Sequence, residues 1–455
     1  MKRKKHDNTV PRAKKTKKLS IFISVPLILI SFFVISVTIY KISKFLLTSL
    51  NSSPDFPKIE IFLSEVSLEE IHAEPKDIKY PGNTVIFTTN NHPTTFENVE
   101  IKGRGNANWN QYKKPYQIKF SDKVSLFNLA ASKKWILIGN YIDRSYLRTD
   151  IAYYLERMLT ENYALNGNFA ELYIDDVYQG LYYISEKIEI KKSRINLQDD
   201  YGIIVELDNL HADDNTCHYT AINKHCITVH DIVNQDNLAS ATDNILETLS
   251  QLESTVSQND FTKISDLIDV DSFVKYFLLS EFTVNSDAYS SSLFFYKDGK
   301  NDKLHVGPGW DFDFSLANTL WGSDGLDRES FFSPSTDTAL KDYHTSFKQD
   351  PTKSHANSIT TLFYNLIDLP EFKARVKTVY QETLSGKKTE LLNYIKNQAN
   401  YIREAALRDA KRWKLQENFD DEVNHLIDWI SQRYDHFETT YGQISTEEPP
   451  VTQDV

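Results

Sequence analysis

The chain has 455 residues, a formal net charge of −12 and two cysteines. Residues 1–18 contain nine Lys or Arg and one Asp, a net of +8, so the rest of the chain carries −20. An acidic body argues against nucleic acid as a main partner, because nucleic-acid backbones are bound by clustered cations. Without a tail at each end about 385 residues remain, which is enough for one large or two moderate domains.

A run of 22 uncharged residues, 19–40, follows the basic leader. At ~1.5 Å per residue a helix of this length reaches about 33 Å, the thickness of a bilayer core. The cations before the run outnumber Lys41 and Lys44 after it. The sequence therefore predicts a single-pass anchor in the cell membrane, with a cytoplasmic N-terminus and an extracellular body. A cleaved signal peptide is the alternative, although no A-x-A-like site follows the run. A buried core helix would leave the basic leader unexplained.

Residues 41–56 are predicted to be a linker, and the part from 57 to about 210 is rich in β-like runs. Alternation of apolar and polar residues predicts strands, and recurrence every four residues predicts helices. We expect strands over 58–63, 84–88, 169–175, 179–185 and 203–207, and helices over 68–71 and 143–159. Asp143 is the expected cap of the second helix, and Glu156 is expected on its solvated face.

Residues 99–120, VEIKGRGNANWNQYKKPYQIKF, predict a strand, a glycine-containing loop and a second strand. Gly103 and Gly105 permit a close backbone approach to a ligand, and Arg104 adds a cation. Lys114 stands at the entrance of the second strand. The stretch thus offers backbone donors and a point charge, which nucleotide phosphates require. Glycine turns near lysines are also common in ordinary hairpins, and the spacing is not that of a Walker A motif.

The two cysteines, Cys217 and Cys226, flank a short predicted hairpin. Outside the cell this arrangement favours a disulfide over two free thiols. Zinc is the least favoured reading, because adjacent Cys-His pairs do not match the usual ligand spacings.

The part from about 235 to 444 is predicted to be mainly helical. Helices are expected over 238–256 and 266–284 and again within 360–441. A long polar segment, 321–354, is predicted to be a surface excursion near the site, and 445–455 a disordered tail.

Residues 285–318 contain the candidate catalytic and metal-binding aspartates. Strands over Leu293–Lys297 and 303–306 predict a hairpin, which brings Asp287 close to Asp311 and Asp313. If WDFDF is extended, the two later carboxylates share one face and repel each other, and Mg²⁺ would relieve that repulsion. Asp287 could then act as a base in phosphoryl transfer. A solvated acidic turn is the alternative.

Four blocks in this order resemble the spore coat protein H (CotH) kinase family. They are KGRGNANW…KKPYQIKF, NYIDRSYLRTDIAYYL, AELYIDDVYQGLYYISEKIEI and VNSDAY…LFFYKD…GPGWDFDFSLAN. The resemblance implies an α+β, atypical protein-kinase-like, two-lobed fold over 57–444, with a hinge near Glu186. It also implies Mg²⁺- and ATP-dependent phosphorylation of Ser or Thr in a protein substrate.

The resemblance also implies roles for individual residues. Asp287 matches the catalytic position, and Asp311 with Asp313 the metal position. The expected nucleotide-binding residues are Arg104, Gly105, Asn106, Lys114, Lys119, Arg148 and Glu186. Which of Lys114 and Lys119 reaches phosphate stays open.

Ser292 departs from the pattern of kinase-like sites, which place a metal-binding Asn five residues after the loop aspartate. A serine hydroxyl is a shorter ligand, and Asn285 or Asn318 could substitute for the missing amide. Two alternatives to the kinase stay open, and the departure at Ser292 favours the first of them. One is a catalytically weak or inactive pseudokinase that acts as a binding or scaffold protein of the cell envelope. The other is a transferase with a different phosphorylated donor.

Overall fold

The computed structural model describes residues 56–209, 216–318, 333–335, 340–341, 358–416 and 418–442. All of them belong to one compact unit, residues 54–455. The basic leader, the predicted anchor, most of the linker, nearly all of the polar segment 321–354 and the tail 445–455 lie outside the described residues. Among the residues that are described, no helix is long and apolar enough to cross a membrane.

The N-terminal part is a closed β-barrel. Its strands are β1 Lys58–Phe62, β2 Tyr80–Thr89, β3 His92–Gly103, β4 Tyr116–Val124, β5 Ser132–Ile138, β6 Gly167–Ile174 and β7 Val177–Ser185. They follow the order β1-β2-β3-β4-β5-β7-β6 around the barrel. Neighbours are antiparallel except β1 and β6, whose parallel pairing closes the barrel. Closure leaves no exposed sheet edge, and an apolar cluster that includes Ile118, Trp135 and Ile184 fills the interior.

A second sheet carries the hairpin predicted before Asp311. Its strands are β8 Ile203–Leu207, β9 His218–Tyr219, β10 Cys226–Ile232, β11 Leu293–Lys297 and β12 His305–Val306, in the order β12-β11-β8-β10-β9. Antiparallel pairing of β11 with β12 confirms the hairpin. The predicted disulfide between Cys217 and Cys226 is present and joins the start of β9 to β10.

Helices make up most of the remaining described chain. They are α1 Leu68–Ala73, α2 Arg148–Leu159, α3 Leu238–Ser257, α4 Phe261–Leu267, α5 Val270–Thr283, α6 Thr360–Ile367, α7 Pro370–Thr383, α8 Lys388–Trp413 and α9 Phe419–Phe437. Apolar faces of helices α2 to α9 and of the second sheet share one large core. The molecule is therefore a mixed α+β protein with a β-rich N-terminal part and a helical C-terminal part.

Two helices differ from their predicted limits for local reasons. The helix predicted over 143–159 begins at Arg148, because the side chain of Asp143 accepts the backbone N–H of Arg148 at 2.9 Å within a preceding turn. The helix predicted over 266–284 is two helices, because Asp269 interrupts it and its side chain caps the start of α5.

Helix α8 ties the helical part to the barrel. The Asp409 carboxylate lies 2.5 Å from the Lys113 ammonium, and both side chains are buried. One residue earlier on the helix, Arg408 pairs with Glu171 of β6 at 2.7 Å. At the end of the helix, the Trp413 indole N–H donates to a β7 carbonyl at 3.0 Å. These contacts fix the helix against the β6–β7 hairpin and the segment before β4.

Candidate active site

Two segments that are distant in sequence lie side by side at the candidate site. Helix α5 ends at Thr283, and the chain then turns into the loop that holds Asp287. In this loop the backbone N–H of Ser286 donates to the carbonyl of Phe314 at 3.3 Å, while the N–H of Leu316 donates to the carbonyl of Thr283 at 2.7 Å. The loop and the acidic segment after the hairpin therefore meet, as the hairpin argument predicts.

The acidic segment is not extended, so that part of the prediction was wrong. Asp311 has φ +61°, in the left-handed region, and turns follow it. Asn285 stabilises this conformation by donating from its side-chain amide to the Asp311 carbonyl at 3.2 Å. The Ser292 hydroxyl lies 3.5 Å from the Asp311 carboxylate. Asp313 is 5% exposed, and its carboxylate faces the same cavity as that of Asp311 through a bend rather than through strand alternation.

One cavity of about 340 Å³ collects most of the predicted residues. Those that line it are Arg104, Gly105, Asn106, Asp287, Ser292, Asp311 and Asp313. The cavity also has polar lining that the sequence reasoning missed, including Lys76, Lys102, Asn108, Lys187, Glu206 and Asp208. Its volume lies in the range of small-molecule sites, and its lining mixes cations with carboxylates.

The glycine loop is fastened to the acidic segment by two contacts. Gly105 has φ +77°, a conformation that side chains disfavour, and it allows the loop to bend back. The loop continues into a 3₁₀ turn in which the side-chain amide of Asn108 donates to the Asp313 carboxylate at 2.5 Å. The Arg104 guanidinium lies 4.9 Å from the ring centre of Trp310. The loop therefore stands directly across from the aspartates.

The electrostatics of the cavity favour a bound cation and bound anions together. Burial raises the pKa of Asp311, and the Asp287 carboxylate raises it further, while Arg104 opposes both effects. Burial likewise raises the pKa of Asp313, with Asp311 as the next cause. Burial also lowers the pKa of the Lys187 ammonium to about 8. Carboxylates that raise one another's pKa would be relieved by a divalent cation, and hard oxygen donors suit Mg²⁺.

Within the described part of the chain, no group of three or more His, Cys, Asp and Glu side chains is arranged to hold a metal ion. Among the oxygen donors that line the cavity are the two carboxylates of Asp311 and Asp313, with the Ser292 hydroxyl beside that of Asp311. This set fits a cation that takes its remaining oxygen ligands from phosphates and water, as Mg²⁺ commonly does.

Neither of the two lysines expected at the nucleotide lines the cavity. The Lys114 ammonium donates to the carbonyl of Trp109 and lies 4.7 Å from the centre of that ring. Lys119 lies in β4 opposite Lys134 of β5. The cavity instead receives Lys187, which directly follows the predicted hinge.

Two further residues that were expected to bind the nucleotide make contacts outside the cavity. Arg148 is buried, and its Nε–H is shared between the carbonyls of Ser315 and Leu316 at 3.2 Å each. It therefore holds the segment that follows Asp313. The Glu186 carboxylate accepts the Tyr163 hydroxyl at 3.1 Å and does not line the cavity.

The missed residues had modest signals in the sequence. Asp208 directly follows the buried strand β8, and Lys187 comes two residues after β7. Polar side chains at the ends of buried strands are frequent in binding sites. Lys102 alternates with the buried Ile101 in β3 and so had to face away from the barrel interior.

The cavity combines a glycine loop, clustered cations and paired buried carboxylates, which are the groups that can accommodate phosphates together with a cation. The family model described as CotH kinase protein matches residues 99–437, from strand β3 to the end of helix α9. The chain belongs to the CotH kinase family. No curated protein matches it.

Proposed function

We propose that this protein is a membrane-anchored, Mg²⁺-dependent kinase that transfers the γ-phosphoryl group of ATP to Ser or Thr hydroxyls of a protein substrate. Membership of the CotH kinase family supports kinase-like function in general. The observation that carries the finer proposal is the cavity that the Arg104 loop and three aspartates line together.

Each part of the cavity has a task in this proposal. Arg104 and Lys187 supply positive charge for phosphate oxygens, and Gly105 leaves the loop backbone open to them. The half-buried Asp287 orients the acceptor hydroxyl and accepts its proton. Asp311 and Asp313 would hold Mg²⁺, with Ser292 beside them, and the bound ion supplies neutralisation of the phosphate charge.

The compartment is part of the proposal. The uncharged run 19–40 serves as a single-pass anchor, and the positive leader keeps the N-terminus in the cytoplasm. The disulfide between Cys217 and Cys226 supports a body outside the cytoplasm, because disulfides persist in oxidising compartments.

The test is transfer of label from γ-labelled ATP to protein by the full-length chain with Mg²⁺. Asp287→Asn should reduce transfer by about 10³-fold while leaving ATP binding intact, since it removes only the group that accepts the proton. Asp266→Asn, on the exposed face of helix α4, is the matched control and should transfer normally. Full transfer by Asp287→Asn would refute the role of this residue, and absence of transfer by the wild-type chain would refute the kinase.

A pseudokinase that binds a partner in the cell envelope is the second candidate, and Ser292 favours it. Ser292 stands where kinase-like sites carry an amide ligand, and its hydroxyl is 3.5 Å from the nearer Asp311 oxygen. A nucleotide-binding pseudokinase would gain thermal stability with Mg²⁺ and ATP but transfer no label. A rise in transfer for Ser292→Asn would show that the serine limits activity.

A further inference from the structure

The segment that delivers Asp311 to the cavity has little regular structure of its own. It runs from Gly307, with φ +109°, through Gly309 to Trp310 and Asp311. A Cβ atom on Gly309 would lie 2.7 Å from Phe312 and 2.8 Å from a Leu279 methyl group, so this glycine packs tightly. The Gly307 N–H still donates to the Phe294 carbonyl of β11 at 2.9 Å, and beyond it side-chain contacts help to fix where this segment lies.

Glu156 of helix α2 supplies the fixing contact. Its Oε1 accepts the backbone N–H of Gly309 at 2.8 Å. The side chain was expected on a solvated helix face, yet Glu156 is 8% exposed. The other oxygen, Oε2, is buried and has no hydrogen-bond partner among the described residues. The hydrogen bond from Gly309 is therefore the only one that the Glu156 carboxyl accepts within this part of the chain.

The same helix holds the neighbouring aromatic residues. Tyr153 lies one turn before Glu156, and residues three apart share a helix face. Its ring centre is 6.4 Å from that of Trp310 and 6.1 Å from that of Phe312. Trp310 in turn carries the Arg104 guanidinium over its ring. One face of helix α2 therefore sets the position of residues 309–312 against the glycine loop.

We propose that Glu156 is a positioning residue for the phosphoryl transfer, which acts by holding the Gly309 N–H so that Trp310 and Asp311 stand opposite Arg104. The inference rests on the proposed function, because it assigns Asp311 to the reaction. Glu156 itself touches neither nucleotide nor acceptor. Its loss should disturb Mg²⁺-dependent steps more than the binding of nucleotide alone.

The test compares three substitutions in the full-length chain. Glu156→Gln keeps an oxygen acceptor of the same reach and should retain kcat within about 2-fold. Glu156→Met keeps the volume but removes the acceptor, and should lower kcat by about 10- to 100-fold and raise the Mg²⁺ concentration for half-maximal rate. Its affinity for ATP without Mg²⁺ should change by less than about 3-fold. Glu161→Met, at an exposed position just beyond the same helix, is the control and should match the wild type.

A replacement variant and a second measurement keep the outcome decisive. If Glu156→Met fails to fold, Glu156→Asp takes its place, because its shorter side chain withdraws the acceptor from Gly309 while keeping the carboxyl group. Calorimetric titration of ATP with and without Mg²⁺ reads the same effect in the absence of turnover. Rescue by Gln together with a lost Mg²⁺ response in Met or Asp supports the proposal. Equal Mg²⁺ responses in all variants overturn it while leaving the kinase proposal intact, and a wild-type chain that binds no ATP overturns both.

Discussion

The buried pair of Lys113 and Asp409 predicts a large and specific loss of stability. Asp409 accepts the Lys113 ammonium at 2.5 Å and the Leu181 N–H at 2.7 Å through one oxygen, and the Tyr146 hydroxyl at 2.8 Å through the other. Asp409→Leu leaves the buried ammonium with the Leu181 carbonyl as its remaining described acceptor. Removing one member of such a buried pair lowers the free energy of unfolding by about 3–5 kcal/mol. This is a large fraction of the total free energy of unfolding of a protein domain, which is roughly 5–15 kcal/mol.

Urea unfolding of the single and double variants measures this loss. The double variant Lys113→Met with Asp409→Leu should recover part of it, because it removes the unpaired buried charge but still leaves the Leu181 N–H and the Tyr146 hydroxyl without their acceptor. Lys388→Met breaks the exposed pair with Asp435 and is the control, at less than about 1 kcal/mol. The reasoning fails if Asp409→Leu costs no more than this control, or if the double variant is as unstable as the single one.

Three further predictions concern the site, a buried acid and the disulfide. Asn108→Ala removes the amide that donates to the Asp313 carboxylate, so affinity for ATP with Mg²⁺ should fall about 10- to 100-fold by calorimetry, and an unchanged affinity would contradict the contact. Burial raises the pKa of Asp150 from 3.8 to about 6, so the folded state binds the proton more tightly than the unfolded state. Stability should therefore fall by up to about 3 kcal/mol as pH rises from 4 to 6, whereas Asp150→Asn should flatten that slope in urea titrations. Cys217→Ser opens a nine-residue span and should cost about 2–3 kcal/mol, and a reductant should destabilise the wild type equally but leave the variant unchanged.

Features governed by local chemistry could be predicted from the sequence. The hairpin of β11 and β12 has aromatic strand residues around an Asp-Gly turn, and both signals act within a few residues. The meeting of Asp287 with the acidic segment then follows from chain geometry, because a hairpin places its two flanks together. The disulfide follows for the same reason, since β9 and β10 bring their cysteines together across a short turn.

Features set by tertiary burial could not be predicted in this way. Lys113 and Lys114 are adjacent and chemically alike, yet only the fold decides that Lys113 meets Asp409, a partner 296 positions away in the sequence. Strand β5 was not predicted because Ser132–Ile138 has two lysines at its second and third positions and no alternating pattern. The helical pattern predicts a solvent-exposed Glu156, because the sequence does not show that the segment around Gly309 packs over this side chain.

The conformation of the acidic segment shows the same limit at the site. Strand alternation would place Asp311 and Asp313 on one face, but Asp311 is left-handed and the chain bends instead. The contacts that hold this bend come from Asn285 and Arg148, which are distant in sequence. The predicted residues line one cavity although the predicted local geometry was wrong, because the hairpin, and not strand alternation, brings the carboxylates together.

Calorimetric titration of ATP into the full-length chain, with and without Mg²⁺, is the most direct test of the central claim that this cavity binds the nucleotide phosphates and the cation jointly. Mg²⁺ should tighten ATP binding by at least about 10-fold in the wild type, and Asp311→Asn should abolish that gain while leaving Mg²⁺-free binding nearly unchanged. An ATP affinity that is indifferent to Mg²⁺, or a gain that survives in Asp311→Asn, would contradict the account.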